Sequence, residues 1–410
     1  MMPMAESTKQ NKINVFIIGA RGYCANYGGW ESFLHGLIDN WKDPDVVFYV
    51  FEIVENKTEE GIARVNNANC IRVFVRNTGS STMMYYDAKC TDYAVRYITE
   101  NGLSNPILLY LGMRIAPLVW MIKPYIKRKG IRIIENPDGM EWKRTKWNRL
   151  VQVYLYLSSQ LMARAADYLI CDSARIKEHY DRFTAIKDIP KEFIPYGVYP
   201  GERVADPMPR RVRHFFDEWK IEPDGYYLIL GRYIPENNYE MMLKGFMASN
   251  SARKLVVVTN YKEEIQSFHQ HIRERTRFET DRRIVMTGSL YDREILPYLR
   301  RHAHGYIHGH KVGGTNPGLL EAMSMTNLNI LFDGEFNREI GADAAVYFST
   351  AEELKDRIEE ADSFSEEVLR QFGNAAKERM RKHYSWGEMV EKYDRVFHRI
   401  VRQYPKGPEV

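Results

Sequence analysis

The stretch Lys311–Glu321, KVGGTNPGLLE, sets a Gly-Gly-Thr-Asn-Pro turn directly against an apolar helix start that carries a carboxylate, Glu321, one turn in. Gly313 and Gly314 let backbone amides approach an anion closely, and the helix beginning after Thr315 and Asn316 adds its partial positive charge. A carboxylate at Glu321 can accept hydrogen bonds from sugar hydroxyls, so the segment suits a phosphate and a ribose held together. The same residues also make an ordinary loop-to-helix junction, with Asn316 as N-cap and Pro317 at the first helical position. A second match weighs toward the ligand. Leu228–Asn238 runs an apolar strand into Gly231, Arg232 and a polar turn. Arg232 would stand at a strand's carboxyl end, where open α/β sheets bind ligands, and a guanidinium can pair with two diphosphate oxygens at once. A surface arginine after a buried strand is the plainer reading, weakened by the presence of two anion-suited loops in one half of the chain.

The elements that must carry these loops alternate between strand and helix. Apolar runs at Val15–Ile18, Val46–Phe51, Ile107–Tyr110, Ile131–Ile134 and Tyr168–Cys171 predict strands in the first half, with a helix over Trp30–Asp39. Tyr227–Leu230, Lys254–Val258, Arg283–Met286 and Gly305–His308 do so in the second half, separated by helix-length segments. This is doubly wound α/β patterning. The 410 residues exceed one ordinary core, so two domains are expected. Pro200, Gly201, Pro207 and Pro209 punctuate a polar stretch before a helix around Arg211–Lys220, which puts the boundary after Ile194-Pro-Tyr-Gly197.

Composition removes several function classes. Lys and Arg number 58 against 54 Asp and Glu, and a net charge of +4 is too small for a general nucleic-acid binder. Cys24, Cys70, Cys90 and Cys171 are scattered without a Cys-x-x-Cys pair, which signals neither zinc nor a disulfide framework and fits a reducing compartment. Asp43-Pro-Asp45 reads as a turn, so no metal is expected. The first ten residues lack an apolar signal-peptide core, and the longest strongly apolar run, Ile115–Ile122, is too short to span a bilayer. A cytoplasmic protein is expected, soluble or peripheral on the inner face of the plasma membrane.

With Gly19-Ala-Arg-Gly22, Ala25-Asn-Tyr-Gly-Gly-Trp-Glu31, Pro137-Asp-Gly-Met-Glu-Trp-Lys143 and Ile194-Pro-Tyr-Gly197 added to the two loops above, the chain resembles the retaining nucleotide-sugar glycosyltransferases of glycosyltransferase family 4. Within them it is most similar to the capsular-polysaccharide rhamnosyltransferase-like subgroup. The resemblance spans most of the chain and implies the GT-B fold, two Rossmann-like doubly wound domains facing a cleft. Residues 1–197 would bind the acceptor, residues 198–380 the nucleotide sugar, and a terminal segment 381–410 would pack back on the first domain. Two positions depart from the broad family: the usual lysine after the arginine is Asn237, and the first glutamate of the E-x7-E pair is Gly313, while Glu321 is kept. The subgroup carries the same Gly-Gly-Thr-Asn-Pro block, so the loss reads as a change of donor. A 6-deoxy sugar tolerates a less polar cradle, which puts dTDP-L-rhamnose first among donors. Arg232 with the amides of Gly313, Gly314 and Thr315 would take the charge of the leaving diphosphate. The turn Met286-Thr-Gly-Ser-Leu290 around Gly288 is similar to the family's base-contacting turn, and equally to a plain strand end.

In the first half, Gly19, Gly22, Gly28 and Gly29 would let two loops lie near the donor phosphates. A dinucleotide fingerprint fails on spacing, because G-x-x-G is not G-x-G-x-x-G. Glu31 could contact an acceptor hydroxyl or complement its helix N-terminus, and Asp138 and Glu141 could face the acceptor or serve as turn and cap residues. In a front-face substitution the departing phosphate takes the acceptor proton, so Asp138 is assigned to orientation with base assistance. His308 and His310 flank the phosphate loop and are read as structural or donor-contacting. Two basic-aromatic stretches, Arg114–Lys129 and Trp142–Arg149, suit an anionic membrane surface or simply two amphipathic helices with solvated cationic faces. With the resemblance, they favour a polyprenyl-diphosphate-linked saccharide acceptor. The alternatives are a GT-B transferase using a UDP- or GDP-sugar, a nucleotide-sugar epimerase, and an inactive carbohydrate-binding assembly protein.

Overall fold

In the computed structural model, short β-branched and aromatic runs alternate with helices and close into two parallel sheets. The structure describes residues 12–23, 29–144, 147–201, 204–261, 266–292 and 294–403. Contacts divide the chain into two units at Tyr196/Gly197 and again at Ser385/Trp386, so that the first unit takes both ends of the chain.

The first unit is built on β1 (Ile13–Ile18), β2 (Val46–Val54), β3 (Gly61–Val65), β4 (Ala68–Phe74), β5 (Pro106–Leu111), β6 (Arg132–Asn136), β7 (Tyr168–Cys171) and β8 (Lys191–Phe193), in the order β3-β4-β2-β1-β5-β6-β7-β8. Only β3 is antiparallel to its neighbour. Every residue of β1 and β5 is buried, as expected for unbroken Ile, Val, Leu and Phe runs covered on both sheet faces. The chain winds outward from β1 through β2 and returns to start β5 on β1's other side, so the sheet changes direction there. The helices of this unit include α1 (Gly29–Asp39), α2 (Thr82–Glu100), α3 (Ala116–Arg128) and α4 (Arg149–Ala165).

The last helix, Trp386–Gln403, lays its buried stripe on this unit: Trp386 meets α1 at Gly36, and the Tyr393 ring lies 5.6 Å from Phe33. Asp43 is indeed in a turn, where its carboxylate accepts from the Asp45 amide at 2.9 Å and meets His398 of the last helix at 2.8 Å. The preceding helix runs from Glu366 to His383, so residues 381–385 stay with the second unit.

The second unit holds β9 (Tyr226–Leu230), β10 (Lys254–Val258), β11 (Ile284–Gly288), β12 (Gly305–His308), β13 (Asn329–Phe332) and β14 (Val346–Phe348). All six are parallel, in the order β11-β10-β9-β12-β13-β14. This is the doubly wound Rossmann order, with the reversal between β9 and β12. Its core joins Tyr227, Ile229, Leu255, Val257 and Ile307 from the sheet to Phe246 and Leu354 from helices. The buried Tyr227 hydroxyl is satisfied by the Ile358 carbonyl at 3.1 Å and Asp362 at 2.8 Å.

All nine strands expected from patterning are present, three with the expected bounds and six with an end extended or shifted by one to three residues; β3, β4, β8, β13 and β14 are additional. These five are short or mixed in character. β8 is Lys-Glu-Phe, β3 is an exposed edge, and β4 alternates buried with exposed positions through Asn69 and Arg72. No helix among the described residues is long and apolar enough to cross a membrane.

Candidate functional site

In the second unit, the loop after β9 and the loop after β12 leave adjacent strands at the reversal of the sheet, where the carboxyl ends of neighbouring strands leave a crevice between diverging connections. Arg232 follows β9 by two residues and is exposed, and its guanidinium has no partner among the described residues. Its backbone is held firmly. Gly231 O accepts from Thr259 at 2.6 Å and Tyr239 at 2.8 Å, the Tyr233 amide donates to Asn260 at 2.8 Å, and Asn237 donates to Arg232 O at 2.7 Å.

Three bonds stitch this loop to the one after β12. The Asn238 side chain, on a residue with φ of 54°, donates to Gly309 O at 2.7 Å, the Lys311 amide donates to Glu236 O at 2.9 Å, and His310 Nδ1 meets Asn237 Oδ1 at 2.6 Å. Asn337, from the helix Glu335–Gly341 after β13, also holds the β12 loop, donating to His310 O at 2.9 Å. Gly309 is required here, because a Cβ would stand 2.4 Å from Asn237 O. A Cβ at Gly313 would come within 2.9 Å of His310 Nε2. Asn237 and Gly313 thus meet at one imidazole.

The amides of Gly313 and Gly314 have no acceptor among the described residues, and Thr315 is buried beside them. Asn316 caps the helix Pro317–Met325 by accepting from the Leu319 amide at 3.2 Å. An ordinary cap fixes the helix start, and the two glycine amides ahead of it lie at that helix N-terminus. Glu321 forms an ion pair with the buried Arg300 through Oε2, leaving Oε1 unpaired among the described residues. Patterning did not foresee Arg300; its signal was a cation on the apolar side of a helix, beside the buried Tyr298 and Leu299. Gly288 ends β11 with φ of 83°, a left-handed conformation suited to glycine, and its carbonyl accepts from the Thr259 amide at 3.2 Å.

His308 lies buried beneath the loop. The Tyr306 hydroxyl donates to Leu230 O at 3.1 Å, so its oxygen is left to accept from His308 Nδ1 at 3.3 Å, and Nε2 has no partner among the described residues. Burial, with the neighbouring His310 charge adding, pushes this imidazole down to about 3. The neutral ring is therefore favoured in the fold, while an unfolded histidine gains its proton near pH ~6.5. Stability is complete above that value and drains as pH falls toward 3. We expect chemical denaturation at about pH 4.5 to show roughly 2–3 kcal/mol less stability from this residue, and His308→Gln to flatten that slope. Equal slopes in the two proteins would contradict the assignment.

In the first unit, the loop after β1 sits at that sheet's own reversal. Gly19, with φ of 117°, lies so close to β5 that a Cβ would stand 2.4 Å from Leu111 O, and a Cβ at Gly22 would meet Glu52 Cγ at 3.1 Å. Gly29 opens α1, whereas Gly28 and Tyr27 lie outside the described residues. Glu31 is buried and accepts from the Arg21 amide at 3.1 Å, so it braces the glycine loop from beneath. Arg114 binds the same loop from the other side, donating to Gly19 O at 2.8 Å while its Nε lies 3.2 Å from the buried Asp87. Burial raises the Asp87 carboxyl to about 6, partly opposed by that guanidinium. An acidic residue on the apolar face of α2, between Tyr86 and Cys90, was the sequence signal for this pair.

Asp138 follows β6 in the left-handed region with φ of 59°, its amide donating to Asn136 Oδ1 at 3.2 Å. Burial first, and then the charge of Glu141, lift its carboxyl above the ordinary range, with Arg144 pulling the other way. Glu141 itself is engaged on both oxygens, by Arg144 at 2.7 Å and by the Trp147 indole at 3.2 Å. It holds the turn, and an acceptor would have to displace one of these partners.

Residues 12–199 match the family model described as a domain of unknown function, DUF1972. No curated protein matches this sequence. Among solved structures, sucrose-phosphate synthase from Thermosynechococcus elongatus is similar with a TM-score of 0.75 at 13% identity, covering 96% of this chain and 100% of its own. Anabaena HepE, in complex with UDP, has a TM-score of 0.68 at 10% identity over 94% of this chain and 100% of its own. The α,α-trehalose-phosphate synthase (UDP-forming) from Burkholderia xenovorans, in complex with glucose-6-phosphate, has a TM-score of 0.69 at 12% identity over 94% of this chain and 100% of its own. These likenesses establish the fold: two Rossmann-like domains, each built on a parallel sheet, as in GT-B structures.

Proposed function

We propose that this chain is a retaining glycosyltransferase, with the second unit binding a nucleoside-diphosphate sugar and the first unit receiving the acceptor. The observation that carries the reading is an unpartnered arginine and two open glycine amides on stitched loops at the β9/β12 reversal. A diphosphate satisfies all of these donors at once. Structurally similar proteins hold UDP and glucose-6-phosphate, a nucleoside diphosphate and a sugar phosphate, which supports a nucleotide-sugar reading. In the transfer, the bond between the anomeric carbon and the diphosphate oxygen breaks, and a bond to the acceptor oxygen forms on the same face of the sugar. The acceptor proton passes to the departing phosphate, whose charge Arg232 and the amides of Gly313, Gly314 and Thr315 take up. Glu321 Oε1 is available to a ribose hydroxyl and Asp138 to the acceptor hydroxyl.

L-rhamnose from dTDP-L-rhamnose is the leading donor, since Gly313 removes the family's sugar-facing carboxylate and a 6-deoxy sugar needs less polar company. The acceptor is a polyprenyl-diphosphate-linked oligosaccharide of surface polysaccharide synthesis, met in the cytoplasm at the inner membrane face.

The test is thermal denaturation with dTDP, UDP and GDP, followed by nucleotide release from the sugar donors. We expect dTDP to stabilise most, by about 2.7 kcal/mol at a hundredfold excess over Kd, and release to require a saccharide acceptor. A preference for UDP or GDP makes it a transferase with another donor. Interconversion of free nucleotide sugar makes it an epimerase, and binding without turnover an inactive carbohydrate-binding assembly protein. No response to any diphosphate refutes the site.

A further inference from the structure

Two neighbouring helices of the first unit are apolar on both their inner and outer sides. A surface helix ordinarily turns its apolar stripe inward, yet α3 buries Ala116, Val119 and Ile126 and also exposes Pro117, Trp120, Met121, Pro124 and Tyr125 at helical spacing on its outer side. α4 repeats this: Leu155, Ser158 and Met162 are buried, while Leu150, Val153 and Leu157 face out. Trp120, Met121, Tyr125, Leu150, Val153 and Leu157 are each between 51% and 83% exposed.

The two stripes look the same way. β5, β6 and β7 follow one another in a single direction across the sheet, so their right-handed crossovers place α3 and α4 on one sheet face. The helices are also bonded together, by Lys123 donating to Arg164 O at 2.6 Å and Tyr154 donating to Arg114 O at 2.7 Å. Single exposed apolar residues need no explanation, but six on one continuous face do.

Charge identifies the occupant. Neither α3 nor α4 contains an Asp or Glu, and Arg128, Lys129, Arg149 and Arg164 are exposed along them. We propose that the α3–α4 face docks on an anionic phospholipid bilayer, with Trp120 and Tyr125 at headgroup depth, Met121 and the α4 leucines below them, and the four cations against lipid phosphates. A second copy of this chain fits poorly, because a two-fold contact would bring eight cations together with no carboxylate from either helix pair to answer them. This inference rests on the first unit's surface alone and stands whether or not the transfer reading holds.

The test sediments the full chain with vesicles of phosphatidylcholine, alone or mixed with phosphatidylglycerol. We expect binding to the mixed vesicles, weakened by salt, and at least about tenfold less to phosphatidylcholine alone. Trp120→Glu with Leu150→Glu should lower vesicle binding at least about tenfold, because both side chains otherwise leave water for the bilayer. Arg128→Glu with Arg149→Glu should lower binding to mixed vesicles roughly thirtyfold and leave the weak phosphatidylcholine binding unchanged. All four side chains are exposed, so unchanged melting temperatures will certify folding. No sedimentation with mixed vesicles, equal binding to both compositions, or a concentration-dependent dimer that the Trp120/Leu150 variant dissolves and vesicles do not would each overturn the proposal.

Discussion

Arg232→Ala will lose affinity for nucleoside diphosphates by about ten- to a hundredfold, the equivalent of one charged hydrogen-bonding group at about 1.5–3 kcal/mol. Turnover should fall further, by about 10²–10³-fold, because charge on the departing diphosphate is greatest in the transition state. The fold should not notice. The guanidinium has no partner among the described residues, and the loop's backbone is held by the side chains of Asn237, Asn260 and Thr259, in bonds that do not involve the arginine side chain. Titration with a diphosphate and with its parent nucleoside separates the causes: only the phosphate-bearing ligand should weaken. If diphosphate affinity survives the substitution, the anion is held elsewhere and the β9/β12 crevice loses its role.

Much of this arrangement is legible in the chain itself, because both loops depend on local chemistry. A buried run, Tyr227 to Leu230, followed by glycine and arginine predicts a strand end with a cation on it, and a glycine pair ahead of Asn-Pro predicts an open turn capped into a helix. What stayed hidden is what joins distant segments. The bonds from His310 to Asn237, from Arg300 to Glu321, and from Arg114 to Gly19 and Asp87 span 73, 21, 95 and 27 residues, and no periodicity encodes which partner a side chain meets. The missed strands fail for a related reason. β13 and β14 are only four and three residues long, and pairing, of β13 with β12 and of β14 with β13, makes them strands more than their own composition does.

The same geometry couples Asn237 to Gly313. The Asn237 side chain reaches both Arg232 O and His310, and a Cβ at Gly313 would come within 2.9 Å of that imidazole. A larger residue at Gly313 would therefore press on His310, and the two positions must be considered together.

The largest stability effect is expected far from this crevice, at Trp386. Its ring fills the groove that Gly36 leaves on α1, where a Cβ would lie 1.9 Å from Cζ2, and it packs near Phe33 with centroids 6.3 Å apart. The residue is 6% exposed and begins the helix that carries the chain's end back to the first unit. Trp386→Ala removes the whole ring from a groove lined by helix backbone that cannot collapse, which should cost about 3–5 kcal/mol. Gly36→Ala tests the same contact from the other side, since an indole held at both edges cannot yield the space a methyl needs, and should cost about 1–3 kcal/mol or more. Both losses belong to the first unit's unfolding, so denaturation followed by a probe in each unit should move one transition and spare the other. Nucleotide binding, which the proposal assigns to the second unit, should persist in both variants. A loss below about 1 kcal/mol for Trp386→Ala would mean that the last helix docks through Tyr393 and Phe397 alone.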